Sequence, residues 1–424
     1  MTAEFAYPTD VRFTCSNCGD CCVNTNILLR PEETAFLVGI DWHGRADDLV
    51  DVTPSVAASA PGARSGRRLR KREDGACIYL GSDKQCRIHQ HFGAARKSLM
   101  CRMYPFHFYP LNERVAVDCA FSCNAISRRE GSKLETHVPE WSRLLDSELG
   151  SPRPRKHRLN NKSALSDQTL WELEQYVLAF LEDSTMALFD RVRCIVEYSR
   201  LATTGDPSTD AATEMRRALA QGLPLQISRI PWEGQMDRTQ QAVFFQWLCL
   251  VLNPTTANED LLRGPSLEAA KRKRVAIGNR YRKPDQAPYV DNRELAATFE
   301  QIAEIDGSFV EGEGADRLRS FLSAKILGQR YLLAGEKSMS FVEAIPKLAL
   351  NYPMAIWTSQ ALAADRGASA VESEDLRVAL RLLDRSLGQL ATSRLPKKQA
   401  RACDFIMLET DFVVCARNQL LGLV

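Results

Sequence analysis

The uneven distribution of cysteine constrains this chain more than any other feature of its sequence. Nine of its 13 cysteines lie before residue 124, and four of these fall within eight consecutive positions, in the segment CSNCGDCC at 15–22. The nine are Cys15, Cys18, Cys21, Cys22, Cys77, Cys86, Cys101, Cys119 and Cys123. Thiols two residues apart suit a metal better than a disulfide, and adjacent cysteines bridge poorly. We therefore predict that these nine cysteines are metal ligands.

The other four cysteines have a different sequence context. They are isolated in apolar stretches of helical period, such as WLCLVL and FVVCARN. Free cysteine in such a setting behaves as a small buried hydrophobe. We predict core positions for Cys194, Cys249, Cys403 and Cys415.

The compartment decides whether clustered thiols stay free. Residues 1–14, MTAEFAYPTDVRFT, contain two acidic residues and no apolar core of signal-peptide length. No segment approaches the roughly 18–20 apolar residues of a membrane span. These features predict a cytoplasmic protein without a membrane partner, where thiols remain available to metals or to redox chemistry. The net charge of +2 is near balance, which argues against a nucleic-acid partner.

The second cysteine-rich run predicts local structures that present thiols. Cys77-Ile-Tyr-Leu, a Gly-Ser-Asp turn and then Cys86 predict a hairpin-like knuckle with two thiols across a turn. Residues 93–100 predict a short helix that delivers Cys101 and ends at Pro105.

This run also contains two further pairs of possible ligands, one of cysteines at helical spacing and one of histidines. Cys119 and Cys123 are four residues apart, so on a helix they share a face. His89 and His91 flank Gln90 close to Cys86; they are candidate ligands, but a pair of surface histidines is the preferred interpretation.

The spacing bears on which metal is bound. Structural zinc sites typically use two C-x-x-C pairs, and here only the first pair is present. Cys15, Cys18 and Cys21 match the first three ligands of a bacterial ferredoxin-type iron–sulfur run. The preferred cofactor is therefore an iron–sulfur cluster, 4Fe–4S in type, with zinc as the alternative. Nine thiols are enough for two clusters.

The cysteine motifs also resemble a known family. The chain is similar to the bacterial cysteine-cluster (CxxCxxCC) family of zinc- or iron-chelating domains in FTCSNCGDCC at 13–22, CIYL at 77–80, CRIH at 86–89 and CRMYPF at 101–106. The stretch from Cys86 through Tyr104-Pro105 to DCAFSC at 118–123 resembles the flagellin lysine-N-methylase (FliB) subgroup. That resemblance implies methyl transfer from S-adenosylmethionine to a lysine of a flagellin-like protein substrate. The alternative is a non-catalytic zinc- or iron-binding or electron-transfer module.

Methyl transfer would place demands on the site. A lysine amine, with a pKa near 10.4, must lose a proton before it attacks. Tyr104 and Asp20 lie within the cysteine motifs and are the candidate catalytic groups, as a base or in positioning; packing around the cluster is the alternative role for each. Because no Gly-rich strand-to-helix signature for a nucleotide is present, we expect an open iron of the cluster to hold any S-adenosylmethionine.

From about Leu165 onward the apolar residues repeat with a period of 3.6. The stripes are Leu170, Leu173, Val177, Phe180 and Leu181; Leu188, Val192, Ile195 and Val196; and Leu318, Phe321, Leu322 and Ile326. Residues 340–364, 373–390 and 397–421 also have helical character. The predicted fold is mainly α, with a small Cys-rich metal-cluster domain of irregular loops at 1–150 and a larger α-helical domain at 151–424. A Pro- and Arg-rich link at 151–162 joins them.

Overall fold

The structure of the chain is a computed structural model. It describes residues 4–24, 27–46, 49, 55–56, 67–111, 114–146, 156–160, 163–204, 213, 217, 234, 236–253, 272, 276–277, 280, 283, 285–334, 337–386, 413 and 416–417.

Helices dominate the described residues, and the short ones gather in the cysteine-rich part. The helices of that part are α1 Asp20–Asn24, α2 Pro31–Val38, α3 Arg87–Phe92, α4 Leu99–Met103, α5 Asn124–Arg128 and α6 Val138–Leu144. Those that follow are α7 Asp167–Glu182, α8 Leu188–Thr204, α9 Arg238–Leu252, α10 Phe299–Ala303, α11 Ser308–Glu311, α12 Ala315–Leu327, α13 Phe341–Ala349, α14 Asn351–Asp365 and α15 Ser373–Ser386. The prediction of a mainly α protein with a Cys-rich amino-terminal region is confirmed. None of the described helices combines the length and apolar character needed to cross a membrane.

The strands are short and form small sheets. They are β1 Glu4–Ala6, β2 Arg12–Phe13, β3 Leu28–Leu29, β4 Ser55–Val56, β5 Arg67–Leu69, β6 Phe106–Pro110, β7 Arg114–Cys119, β8 Ser132–Lys133, β9 His157–Arg158, β10 Ala164–Leu165, β11 Tyr289–Val290, β12 Arg293–Glu294, β13 Leu333–Ala334 and β14 Lys337–Ser338. One three-stranded sheet has the order β1-β7-β6, with β1 parallel and β6 antiparallel to β7. Another has the order β3-β5-β4 and is antiparallel throughout. The remaining strands pair two by two.

The predicted helical stripes are confirmed. All five apolar residues of the first stripe are buried on α7, and the hydroxyl oxygen of Ser166 caps that helix by accepting the Thr169 N–H at 3.0 Å. The stripes on α8 and α12 are buried as well. The predicted segment 340–364 forms two helices that meet at Leu350. Pro353 explains the break, because it has no N–H to continue the hydrogen bonds of the preceding helix.

The described apolar residues form two main cores. The smaller one holds Ile27, Leu37, Trp42, Tyr79 and Ile88, and Cys22, Cys86 and Cys101 pack against it. The larger one contains the apolar faces of α7, α12, α13 and α14, and it also takes in Val117, Phe121 and Trp141 from the cysteine-rich part. The β6–β7 hairpin therefore packs against the helices, while the thiols gather beside the smaller core.

Parts of two predicted segments lie outside the described residues. Of the predicted link at 151–162, residues 156–160 include strand β9, and its His157 and Leu159 are buried. The predicted helix at 397–421 lies outside the described residues except at 413, 416 and 417, and so do Cys403 and Cys415. Cys194 and Cys249 are buried on α8 and α9, which confirms their predicted core positions.

Candidate metal centre

Five cysteines from separate segments line one cavity of about 60 Å³. Two come from α1, two from the segment between β5 and α3, and one from α4; they are Cys21, Cys22, Cys77, Cys86 and Cys101. The other lining residues are Ile27, Leu37, Leu69, Tyr79, Ile88, Lys97, Ser98 and Tyr104. The sequence therefore folds so that thiols separated by up to 80 positions line one cavity with mainly apolar walls.

A tight turn positions the first two thiols. Gly19 has a φ of +79°, a conformation that side chains with a Cβ rarely adopt, and it lies against Leu80. The N–H of Cys22 donates to the Gly19 carbonyl at 2.9 Å, which starts the five-residue helix α1. Cys21 and Cys22 therefore follow directly from a turn that requires glycine.

The predicted knuckle between Cys77 and Cys86 is present. The Leu80 N–H donates to the Cys77 carbonyl at 3.0 Å, and Gly81 donates to the Gln85 carbonyl at 2.9 Å. An antiparallel bridge pairs Leu80 with Cys86, which is the residue immediately before α3. The turn thus brings the two cysteines to the same side of the cavity, nine positions apart in sequence.

The backbone of Cys22 connects the first turn to the knuckle. The Cys77 N–H donates to the Cys22 carbonyl at 2.9 Å, and the ammonium of Lys71 donates to the same carbonyl at 2.6 Å. Lys71 follows β5, in the basic run RRLRKR at 67–72, whose first three residues, Arg67–Leu69, pair with both β3 and β4.

The segment that carries Cys101 differs from its prediction. Residues 93–100 do not form one helix: a 3₁₀ turn at Ala94–Arg96 is followed by extended Lys97, and Cys101 lies inside α4. Glu33 on α2 caps α4 by accepting the Leu99 N–H at 2.6 Å. A carboxylate 66 positions away thus satisfies an N–H of the first turn, although Ser98 is the N-cap residue.

A second, smaller group of thiols adjoins the cavity at Cys21. The pKa of Cys123 is raised to about 11, first by burial and to a smaller extent by the nearby thiols of Cys21 and Cys18. Tyr104 lies between the two groups: burial raises its pKa, with Cys123 and Cys21 as neighbours. Cys15 is exposed. Of the three cysteines in the ferredoxin-like triplet, Cys21 lines the cavity, whereas Cys15 and Cys18 do not.

The prediction that Cys119 and Cys123 share a helix face is wrong. Cys119 ends strand β7 and pairs with Phe106, whereas Cys123 precedes α5. The run VAVDC is rich in β-branched and apolar residues, which favours a buried strand over a helix. Cys119 is fully buried, and its charged neighbours are Asp118 and Lys325 rather than other thiols.

Three thiols of the cavity, Cys21, Cys77 and Cys101, have a raised pKa that favours their neutral form. Burial raises the pKa of Cys77 to about 12, and burial also raises that of Cys101. For Cys21 the pKa is raised first by a hydrogen bond with the Cys22 thiol and then by burial. A bound cation reverses this preference because it stabilises thiolates directly. Thiols in a partly apolar wall are thus suited to a charged inorganic group.

One helix of the carboxy-terminal half holds both cysteine-bearing loops. The guanidinium of Arg381 on α15 donates to the Asp20 carboxylate at 2.7 Å and to the Ser122 carbonyl at 3.4 Å. One turn further, Asp384 accepts the Ser122 N–H at 2.8 Å. Asp20 belongs to the first cysteine turn and Ser122 precedes Cys123, so α15 connects the two.

The same face of α15 makes two more contacts. Arg377, one turn before Arg381, donates to Asn124 at 3.1 Å and to Ser127 at 3.2 Å. Asn124 in turn donates to the Asp20 carboxylate at 2.6 Å. Residues 377, 381 and 384 have the i, i+4, i+7 spacing of a single helix face. We call Arg377, Arg381 and Asp384 the α15 clamp.

A buried ion pair anchors the clamp. The ammonium of Lys325 on α12 is fully buried and lies 2.6 Å from Asp384 and 2.8 Å from Asp118. It also donates to the Cys119 carbonyl at 2.7 Å. Removing one partner of such a group leaves an uncompensated buried charge, so the three side chains act as a unit.

The two candidate catalytic residues have different surroundings. Tyr104 lines the cavity, whereas Asp20 accepts hydrogen bonds from Arg381 and Asn124. His89 and His91 are exposed on α3, in agreement with the preferred interpretation of a surface pair. The sequence analysis did not identify Lys71, Lys97 or the α15 clamp. These residues can be recognised only by their proximity to the cysteine-bearing segments in the folded chain.

The donor set fits a metal group bound by thiolates. The described residues that line the cavity provide sulfur ligands, and no three His, Cys, Asp or Glu side chains of the described ranges meet around one point as a bound single ion would require. The cavity volume is roughly four times what a single water molecule needs.

Residues 14–124 match a family model described as "Putative zinc- or iron-chelating domain" (CxxCxxCC). The match spans the five cavity cysteines, the knuckle and the β6–β7 hairpin, and it ends within α5. No curated protein and no solved structure matches the chain. The cysteine-rich part is therefore similar to zinc- or iron-chelating domains, which supports a metal as the cofactor.

Proposed function

We propose that this protein holds an iron–sulfur cluster in the cavity lined by Cys21, Cys22, Cys77, Cys86 and Cys101. The observation that carries the proposal is the convergence of five thiols on one cavity with room for several atoms. Iron–sulfur clusters are held by four cysteine thiolates, so the cavity offers one thiol more than a single cluster needs. Such a cluster, when bound, supplies one-electron transfer or a Lewis-acidic iron.

The size of the cavity is what favours a cluster over zinc. A zinc ion bound by four thiolates has Zn–S distances of about 2.3 Å and leaves no free space among its ligands. Here the thiols line a volume of about 60 Å³. A polynuclear group uses more of such a space than a single ion does, which favours the cluster.

Anaerobic purification followed by iron, sulfide and zinc analysis tests the proposal. We expect a brown protein that contains iron and inorganic sulfide in equal amounts and loses both when Cys101 is replaced by Ser. A colourless protein with one zinc ion per chain would overturn the iron–sulfur assignment and leave a zinc-binding module. The other predicted ligands, Cys15, Cys18, Cys119 and Cys123, are not among the residues that line the cavity, so single serine variants test each of them.

Methyl transfer to a protein lysine is the activity that the resemblance to flagellin lysine-N-methylase implies, with S-adenosylmethionine as donor and a flagellin-like protein as partner. Tyr104 is placed to contact a ligand at the cavity, since it lines the wall beside Cys21. Asp20 is already paired with Arg381, which favours a structural role for its carboxylate over that of a base.

Calorimetry and a labelled-methyl assay test this activity. If the cluster holds the cofactor, S-adenosylmethionine binds the metal-loaded protein and not the metal-free protein, provided that circular dichroism shows intact helices in both. A loaded protein that binds no S-adenosylmethionine, and labels neither flagellin nor another lysine-rich protein, would remove methyl transfer and leave a non-catalytic metal or electron-transfer module.

A further inference from the structure

Three hydrogen-bond donors in the cavity wall have no oxygen or nitrogen acceptor among the described residues. The Tyr79 hydroxyl is buried and makes no hydrogen bond with a described residue, and the Ser98 hydroxyl is buried beside the Cys101 thiol; each residue is at least nine-tenths buried. The ammonium of Lys97 makes no hydrogen bond or ion pair with a described residue, and Lys97 also lines the cavity. Buried donors without partners cost free energy, so they indicate an acceptor that the protein itself does not supply.

Each donor is close to particular thiols. Lys97 lies near Cys21 and Cys101, and its charge opposes the net rise in the pKa of both thiols. Ser98 immediately precedes α4, and its hydroxyl interacts with the Cys101 thiol. Tyr79 lies in the knuckle between Cys77 and Cys86, and its pKa is raised by burial and by those two thiols. Lys97 and Ser98 therefore lie on the side of the cavity next to α4, and Tyr79 lies on the side formed by the knuckle.

The charge balance explains why such donors are needed. Four thiolates around a cluster or an ion leave the group with net negative charge, and burying that charge is costly without nearby cations or donors. Lys71 is half-buried beside the same thiols, but its ammonium already binds the carbonyls of Cys22 and Val23. Among the described residues that line the cavity, Lys97 is the cation that borders its contents.

We propose that Lys97, Ser98 and Tyr79 donate hydrogen bonds to the sulfur atoms of the anionic metal group in the cavity, with Lys97 supplying a compensating charge. This inference rests on the proposed metal centre. Donors to sulfur stabilise the more negative, reduced state of a cluster and so raise its reduction potential. They also strengthen the hold on the metal group in either state, since groups around the ligands commonly change metal affinity 10- to 100-fold, as an order-of-magnitude guide.

The test compares Lys97→Met, Ser98→Ala and Tyr79→Phe with the wild-type protein. Each variant removes the donor and keeps most of the side-chain volume, so we expect all three to fold and to bind metal. We expect the midpoint potential to become more negative in every variant, most in Lys97→Met because it removes a full charge. Release of metal to a chelator should be faster in the same order. Lys84→Met is the matched control: it removes an exposed lysine from the knuckle and should behave like the wild type.

The outcomes separate this inference from the proposed function. If the wild-type protein contains no iron or sulfide, the iron–sulfur assignment fails, and the chelator experiment still tests the donors toward a zinc–thiolate group. If the three variants bind the same metal group, with wild-type potential and wild-type release rate, the proposed role of the donors is wrong. A potential that changes equally in Lys97→Met and Lys84→Met would show a general effect of surface charge and would also contradict the proposal.

Discussion

At the scale of single residues, Cys21 belongs to both groups of thiols. It lines the cavity beside Cys22, and it also approaches Cys123, which lies outside the cavity lining. Cys249, in contrast, is buried in an apolar helix, and its pKa is raised by burial rather than by neighbouring thiols. Residue identity alone does not separate these thiols, whereas their neighbours do.

Serine substitution should therefore have two different results. We expect Cys21→Ser and Cys101→Ser to lose most of the bound metal and to unfold at a lower temperature, because metal-binding free energy is also folding free energy. Cys249→Ser should keep the full metal content and lose some stability, since it buries a hydroxyl. Metal analysis and thermal unfolding measure both effects. Equal metal loss in Cys249→Ser and Cys101→Ser would contradict the division into ligands and core residues.

Glu174 is a buried carboxyl that makes stability depend on pH. Burial raises its pKa to about 8, while hydrogen bonds from Tyr331 and Gln329 and the charge of Arg114 oppose the shift and Asp167 adds to it. The folded-state pKa lies above the ordinary value of 4.5, so the folded state retains a proton that the unfolded state releases between these pH values. The contribution is complete below about pH 4.5 and is lost as the pH rises through 8.

Replacing Glu174 by Gln removes this titration. We expect the wild-type melting temperature to fall between pH 5 and pH 9 more steeply than that of Glu174→Gln, with a loss of roughly 1.4 kcal/mol per unit between the two pKa values. Glu182→Gln on the same helix is the control, because that side chain is half exposed. Parallel melting curves for the wild type and Glu174→Gln would show that burial does not hold Glu174 in its neutral form.

At the scale of elements, helix α15 connects the carboxy-terminal half of the chain to the two cysteine-bearing loops. Its clamp residues contact the first cysteine turn through Asp20 and the segment before Cys123 through Ser122. The relative position of these two loops therefore depends on a helix more than 250 residues further along the chain. Glu33 on α2 performs a similar task for Cys101 by capping α4.

Arg381→Ala should therefore affect the metal centre from a distance. Losing both contacts weakens the hold on the Asp20 turn, which keeps its hydrogen bond from Asn124, and we expect metal affinity to fall about 10- to 100-fold with an altered visible spectrum. Arg381→Lys keeps the charge and should restore part of the affinity. Arg385→Ala removes an arginine one turn later, which pairs with Asp291 and not with the cysteine turns. If Arg385→Ala and Arg381→Ala weaken metal binding equally, α15 contributes only general stability.

At the scale of the whole molecule, we expect the two cores to depend on the metal to different degrees. The thiols pack beside the smaller core, whose regular structure consists of short helices and short strands. The larger core is formed mainly by long helices with fully buried apolar faces. A small core commonly relies on a metal for its stability.

Removing the metal should consequently loosen one part of the molecule more than the other. Hydrogen exchange of the metal-free protein should speed up across 67–101, while α7, α12 and α13 keep their protection. Readdition of iron and sulfide, or of zinc, should restore the protection. Uniform acceleration across both parts would mean that the chain responds as a single cooperative unit.

Features of the fold that depend on local periodicity and spacing can be predicted from the sequence. The stripe on α7, with its Ser166 cap, follows from a 3.6-residue repeat, and the knuckle follows from two cysteines around a Gly-Ser-Asp turn. These interactions join residues that are close in the chain, so short-range patterns predict them. The burial of Cys194 and Cys249 follows in the same way from their apolar neighbours.

Which thiols lie together, and which residues surround them, is visible in the tertiary structure and could not be predicted from the sequence. The spacing of Cys119 and Cys123 suggested a shared helix, but pairing with β6 places Cys119 in a buried strand. Lys97 and Tyr79 come from different segments but line the same cavity. The hydrogen bond from Arg381 to Asp20 likewise joins residues that are distant in sequence. Such contacts depend on how elements pack, because burial and charge compensation act through space, and no local pattern of residues encodes them.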